Sequence, residues 1–182
     1  MKTKDILLAG VGGQGVMLAS NIISEVLFKA GFDVKTSSIK GMSQRLGSVV
    51  SSVRFGEKVY SPVIRKADYF LGFELLETLR YISYLNKGGI GIINNYESRI
   101  ENYPKEIIKR IKKNNVILLD GQKMLGNKKV INLLFLGILS RHLGIEKRFW
   151  IESIKEIIPE KYVNINLRAF EEGINVDFKN KR

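Results

Sequence analysis

The residues that could do chemistry begin at Gly10. Gly10, Gly12 and Gly15 fall in a Gly-x-Gly-x-x-Gly register, with Gly13 as an additional glycine and Gln14 as the one polar side chain among them. Positions without a side chain let a turn tighten and let backbone N–H groups approach an anion closely. The flanking residues fit that use. Ile6, Leu7, Leu8 and Ala9 make an apolar run suited to a buried strand, and Ala19, Ile22, Ile23, Val26, Leu27 and Ala30 follow at helical spacing as far as Gly31. Strand, glycine turn and helix together would present unpaired donors and the partial positive charge of a helix N-terminus to a phosphate or carboxylate. The same pattern also serves a turn that only packs a first βα unit tightly.

A dinucleotide site of this kind calls for an acid near the end of the second strand, about twenty residues beyond the glycines. Residues 35–40 read Lys-Thr-Ser-Ser-Ile-Lys instead. This disfavours NAD and leaves room for a phosphate-bearing ligand. Other chemistries are excluded by composition. The 182 residues contain no cysteine, so disulfides, Cys-ligated zinc, iron–sulfur ligation and thiol nucleophiles are absent. The only histidine, His142, follows an apolar helix and reads as a helix-end surface residue rather than part of a triad. No His, Asp and Glu stand at metal-ligand spacing.

Thirty basic residues against 18 acidic ones leave a formal net charge of +12, which favours acidic or phosphorylated partners. The basic residues are scattered, and no nucleic-acid-binding signature accompanies them. Apolar residues form 45% of the chain, enough for one well-packed domain over residues 1–175 with a basic tail at 176–182. No run approaches the ~20 apolar residues that span a membrane, and the Met-Lys-Thr-Lys-Asp start leads directly into the first strand. The expected location is cytoplasmic.

The elements that must position the glycines alternate. A second strand is expected over 33–38, then a glycine-bracketed polar loop at 41–47, and a β-rich stretch over 48–55 that turns at 56–58 and returns over 59–64 as a hairpin. Strands at 68–73, 90–94 and 116–119 alternate with helices at 74–85 and behind Pro104. The last third is helical. Residues 130–143 are apolar almost all round and belong in the core or in a subunit contact. Further helices are expected around Trp150 and over 166–172, ending at Gly173. The fold class that follows is α/β: a single Rossmann-like, doubly wound, mostly parallel sheet with a hairpin excursion and a helical C-terminal third.

Several segments together carry a resemblance. They are the glycine turn, Gly41-Met42-Ser43-Gln44-Arg45, residues 48–54, Ser61-Pro62, Gly72-Phe73-Glu74 on through Glu77, Arg80 and Tyr81, residues 132–137, and Ala169-Phe170-Glu171. In this order, over nearly the whole chain, they resemble the gamma-type subunits of 2-oxoacid:ferredoxin oxidoreductases, most of all the small subunit of the indolepyruvate enzymes. Similar proteins carry Glu and His before the loop where this chain has Ser38 and Lys40, and Gly-Gly after the arginine where it has Leu46-Gly47. Those departures bear on the choice of oxoacid. The resemblance implies a complex that decarboxylates a 2-oxoacid on thiamine diphosphate, passes electrons through iron–sulfur clusters to ferredoxin and acylates coenzyme A. It implies that thiamine diphosphate, Mg²⁺ and the clusters sit on a larger partner subunit, and that this chain alone is inactive, with a homo-oligomer possible when isolated.

On this resemblance, Gly10, Gly12, Gly13, Gln14 and Gly15 would hold a phosphate or carboxylate of coenzyme A or substrate. Lys40 and Arg45 would add charge, Arg45 with the planar fork suited to phosphate, while Ser43 and Gln44 would orient an acyl group or a partner loop. The 41–47 loop serves equally well as a docking element. Glu74 reads as a helix cap rather than an acid–base group, and Asn132 as an amide that fixes a loop or subunit contact. Two other readings stand beside this one: a free-standing dinucleotide-binding dehydrogenase and a basic nucleic-acid-binding module.

Overall fold

The computed structural model describes residues 3–41, 47–113 and 115–177, the side chains of 97–99, 110 and 112 aside. Six strands form one sheet in the order β2-β3-β1-β4-β5-β6. They are β1 (Lys4–Val11), β2 (Asp33–Lys40), β3 (Ser48–Gly56), β4 (Ala67–Gly72), β5 (Leu85–Asn94) and β6 (Asn115–Leu119). β1, β4, β5 and β6 run parallel to one another, and β3 lies antiparallel between β1 and β2. The α/β class, the largely parallel sheet and the hairpin excursion expected from the sequence are all present.

The hairpin has different arms from those expected. It joins β2 to β3 across the 41–47 loop, and residues 59–64 form no strand. Pro62 lacks the N–H a ladder needs, and side chains satisfy the segment instead. The Asp33 carboxylate accepts the Val59 N–H at 2.8 Å, Ser52 Oγ donates to the Pro62 carbonyl at 3.3 Å, and Arg54 donates to the Val63 carbonyl at 2.7 Å.

Side-chain alternation along β1 splits the core in two, as a strand buried on both faces must. Ile6 and Leu8 face a layer made of α1 (Val16–Lys29), α5 (Ile131–Leu143), α6 (Lys147–Ile157) and α7 (Glu160–Asn175). Leu7 and Ala9 face α2 (Leu75–Tyr81) and α3 (Lys105–Lys112) through Phe70, Leu75 and Ile111. A short α4 (Gly121–Leu125) precedes α5. No helix among the described residues is long and apolar enough to cross a membrane.

Two helix boundaries differ from the sequence reading. α2 stops at Tyr81 and passes through a 3-10 turn into β5, which starts at Leu85. Gly88, at φ +91°, lies inside that strand near a register shift rather than ending the helix. α7 begins at Glu160, directly after Pro159, and runs through Gly173. Gly173 continues the helix because it is a crossing point. A Cβ there would strike the Leu134 carbonyl, and one at Gly137 would strike the Phe170 carbonyl. Two glycines let α5 and α7 touch backbone to backbone, and α5 is buried from 131 through 139 in the core of this chain.

At the opposite edge of the sheet from the turn, Asp5 sits 9% exposed beside Arg54, at 3.1 Å, and Asp68. Desolvation raises its pKa from 3.8 to about 6, Arg54 opposes the rise, and the Asp68 charge adds to it. A raised carboxyl pKa means that the native state holds a proton the unfolded chain has released, so stability falls as pH rises from about 4 through 6. The Asp5→Asn variant should therefore gain in melting temperature relative to the wild type between pH 4.5 and 7.5, by several degrees. A difference that stays constant or shrinks over that interval in thermal unfolding scans refutes the assignment.

Candidate functional site

The turn after β1 leaves the sheet where the chain's two directions part. From β1 the chain passes through α1 on one face toward β2, and from β4 it passes through α2 on the other face toward β5. The crevice beyond the carboxyl ends of β1 and β4 is thus the switch point at which open α/β sheets place ligands. A cleft of about 540 Å³ opens there. Gly12, Gly13 and Gln14 form one wall, Phe73 and Glu74 a second, and Lys128, Lys129 and Ile131 a third.

Each glycine has its own physical reason. A Cβ at Gly10 would lie 2.7 Å from Gln14 Oε1, which folds back to accept the Val11 N–H at 3.0 Å. Gly13 holds φ +91° with open space where a side chain would be. Gly15, at φ +75°, caps α1 with no side-chain partner, and its missing Cβ makes room for Asn132. The Asn132 Nδ2 in turn reaches the Gly15 carbonyl at 3.5 Å. The polar residue inside the apolar helix therefore steadies the glycine turn.

The turn's donors divide into two sets. Gly12 N–H donates to the Gly47 carbonyl at 2.9 Å and Gln14 N–H to the Val11 carbonyl at 3.2 Å. The N–H groups of Gly13 and Gly15 have no partner among the described residues. The first bond seats the end of the 41–47 loop directly on the turn, and Gly41 N–H closes the loop's base on the Ser48 carbonyl at 2.8 Å. Ser43, Gln44 and Arg45 lie outside the described residues. Lys40 ends β2 on the same sheet edge, in register with Val49 and through it with Gly10. That places it two strands, roughly 10 Å, from β1, and it does not line the cleft.

Sequence reasoning did not single out Lys128 and Lys129. Asn127 Oδ1 accepts the Lys129 N–H at 3.0 Å and caps the 3-10 turn that presents them. Both side chains are exposed, and neither ammonium pairs with a described residue. Two lysines ahead of an apolar helix look like ordinary solvated charge, and only the position of α5 brings them to the glycine turn.

Glu74 behaves as a cap. Its Oε2 accepts the Glu77 N–H at 2.8 Å at the start of α2, so its charge is directed at its own helix rather than at a ligand. Glu77 is only 4% exposed. Its carboxylate accepts from Ser48 Oγ and is paired with Arg80 Nη1, each at 2.6 Å. That bridge binds the first residue of β3, just past the 41–47 loop, to α2. The two segments most specific to the family resemblance therefore form one hydrogen-bonded unit. His142 lies about eleven residues along α5 from Ile131, roughly 17 Å away from the cleft. It is half-buried rather than on the surface, and burial together with Arg141 holds its imidazole below the ordinary pKa.

The strand beside β1 also bears on dinucleotides. An NAD ribose is held at the end of a parallel neighbour of β1. Here that neighbour is antiparallel β3, whose first residue and the preceding Gly47 occupy that edge.

The model of the pyruvate ferredoxin/flavodoxin oxidoreductase family matches residues 5–176. The chain belongs to that family. Indolepyruvate oxidoreductase subunit IorB of Thermococcus kodakarensis is 37% identical, covering 96% of both chains, and the Archaeoglobus fulgidus IorB is 34% identical over 94% of both. Among solved structures, the gamma subunit of a keto/oxoacid ferredoxin oxidoreductase from Geobacter sulfurreducens superposes with a TM-score of 0.75 at 22% identity, over 93% of this chain and 95% of that one. A 2-oxoglutarate:ferredoxin oxidoreductase from Magnetococcus marinus, determined with 2-oxoglutarate, coenzyme A and succinyl-CoA bound, gives 0.81 at 21% identity, over 96% of this chain and 31% of that longer one. These structures share the fold. Across the oxidoreductase family, as in this chain, the resemblance read from the sequence holds from end to end.

The Ser48–Glu77–Arg80 bridge generates a direct test. Glu77→Gln keeps the shape but removes the charge, and should cost about 2 kcal/mol in urea unfolding. Ser48→Ala added to it should cost less than it does alone, since both act on one bond. Strict additivity contradicts the bridge.

Proposed function

We propose that this chain is the cofactor-free small subunit of a thiamine-diphosphate-dependent 2-oxoacid:ferredoxin oxidoreductase, with indolepyruvate or a related arylpyruvate as the oxoacid. The observation that carries the reading is the end-to-end match to indolepyruvate oxidoreductase subunits at 37% identity. The chain's own chemistry agrees. It has no cysteine for an iron–sulfur cluster. No three acidic or imidazole side chains converge among the described residues to hold the Mg²⁺ of a thiamine diphosphate. Those groups belong on the larger subunit.

On this reading the small subunit docks beside that active centre and offers its cleft to coenzyme A. Coenzyme A fits the residues present in one respect that can be stated: its phosphates are anions, and the turn offers the free N–H groups of Gly13 and Gly15 at the N-terminus of α1. The proposed contact set is Gly10, Gly12, Gly13, Gln14 and Gly15, with Lys40, Ser43, Gln44 and Arg45 from the adjoining loop. Gly10 and Gln14 shape the turn, while the cations draw the phosphates. When bound, coenzyme A supplies the thiol that accepts the acyl group. The stand-alone dehydrogenase reading loses ground to the antiparallel β3 beside β1.

The test is affinity purification of the tagged chain from its native cells. It should bring down a larger iron–sulfur protein, and the pair should reduce a low-potential acceptor with arylpyruvates while the chain alone does not. Recovery of the chain without such a partner refutes the proposal. Within the complex, Arg45→Ala should raise the coenzyme A concentration needed for half-maximal rate about tenfold, the loss of one charge-assisted bond, with assembly intact. Lost assembly would instead assign the loop to docking.

A further inference from the structure

The anion-binding reading of the glycine turn leaves the opposite wall of the cleft without a role. That wall carries two charges. Lys128 and Lys129 stand on a 3-10 turn capped by Asn127 and continued directly into α5, whose next residues, 131–139, are buried in the core. Their backbone is therefore fixed by the packing of the molecule, while their ammonium groups stay exposed and unpaired among the described residues. Elsewhere the chain pairs cations with carboxylates: Lys29 with Glu156, Lys35 with Asp33, Arg54 with Asp5, Arg80 with Glu77 and Lys147 with Glu171. The one carboxylate lining the cleft, Glu74, accepts the Glu77 N–H at its own helix start. Between the walls lie Phe73 and Ile131, an apolar floor.

We infer that Lys128 and Lys129 form a second anionic subsite of this cleft, so that it selects ligands carrying two phosphates, or a diphosphate, over those with a single phosphate or carboxylate. The inference rests on the reading of the glycine turn as the first anion site. The division of labour follows from the donors. Backbone N–H groups are fixed and take one oxyanion in a set geometry, whereas ammonium groups on long stems take a second anion of variable position. A singly charged carboxylate would engage one wall only. A phosphorylated acyl carrier would engage both, and this is the ligand class the cleft fits.

The experiment is NMR titration of the full chain, isotopically labelled, with inorganic phosphate and with pyrophosphate, following the Gly13 amide. The wild type should bind pyrophosphate about tenfold or more tightly than phosphate, the difference made by a second charge-assisted contact. In the Lys128→Gln/Lys129→Gln variant that advantage should vanish while phosphate still moves the Gly13 amide with unchanged affinity. The Lys128→Arg/Lys129→Arg variant should restore it. Equal preference for pyrophosphate in wild type and Gln variant overturns the lysine subsite and leaves the glycine-turn reading standing. No Gly13 response to either anion in the wild type overturns the glycine-turn reading, and with it the two-anion cleft. Both lysines are exposed, so the variants should keep the wild-type unfolding midpoint, and a collapsed spectrum would show that the turn is structural and overturn the subsite.

Discussion

The position of β1 constrains everything around it. It is hydrogen-bonded along both edges, antiparallel to β3 and parallel to β4, and its side chains are buried on both faces. A strand so enclosed has to carry apolar residues at successive positions, and it leaves the sheet only at its end. Gly10, Gly12, Gly13 and Gly15 stand at that end because the chain must turn sharply there, under α1 and over the start of β3. The Gly12–Gly47 hydrogen bond is the local consequence. The turn and the 41–47 loop are held against each other, so whatever the loop does, it does beside the cleft.

The layer of α1, α5, α6 and α7 holds this arrangement from one side. α5 is apolar on nearly all faces because β-strands, α1 and α7 surround it. Its crossing with α7 depends on Gly137 and Gly173, where any Cβ would meet a carbonyl oxygen. Close packing of this kind leaves little freedom for the helix to shift. The N-terminal end of the same helix delivers Asn132 to Gly15 and the preceding turn delivers Lys128 and Lys129 to the cleft. Core packing on one face thus sets the chemistry of the cleft at the sheet's edge.

In an oxidoreductase whose redox groups lie on another subunit, a chain of this kind contributes shape and charge. Its formal charge of +12 suits anionic ligands and an acidic partner surface. The Ser48–Glu77–Arg80 bridge shows how the charge is organised. A nearly buried carboxylate ties the strand that follows the loop to the helix that follows Glu74, so loop and helix respond together to a docking partner.

The sequence by itself determined the elements whose signals are local. Apolar runs and helical spacing marked β1, α1, β4, α5 and β6, the glycine register marked the turn, Glu74 was recognisable as a cap, and the absent cysteines excluded cluster ligation. What only the tertiary structure decided depended on partners distant in the chain. The hairpin pairs β2 with β3 rather than 48–55 with 59–64, because side chains of Asp33, Ser52 and Arg54 satisfy the second segment. Gly173 reads locally as a helix stop, yet it lies within α7 because α5 presses against it. Lys128 and Lys129 have no local signal at all, since a pair of lysines acquires a role only when the fold sets them opposite a turn more than a hundred residues earlier. Periodicity is a property of neighbours along the chain, whereas pairing, close approach and unpaired charge are properties of neighbours in space.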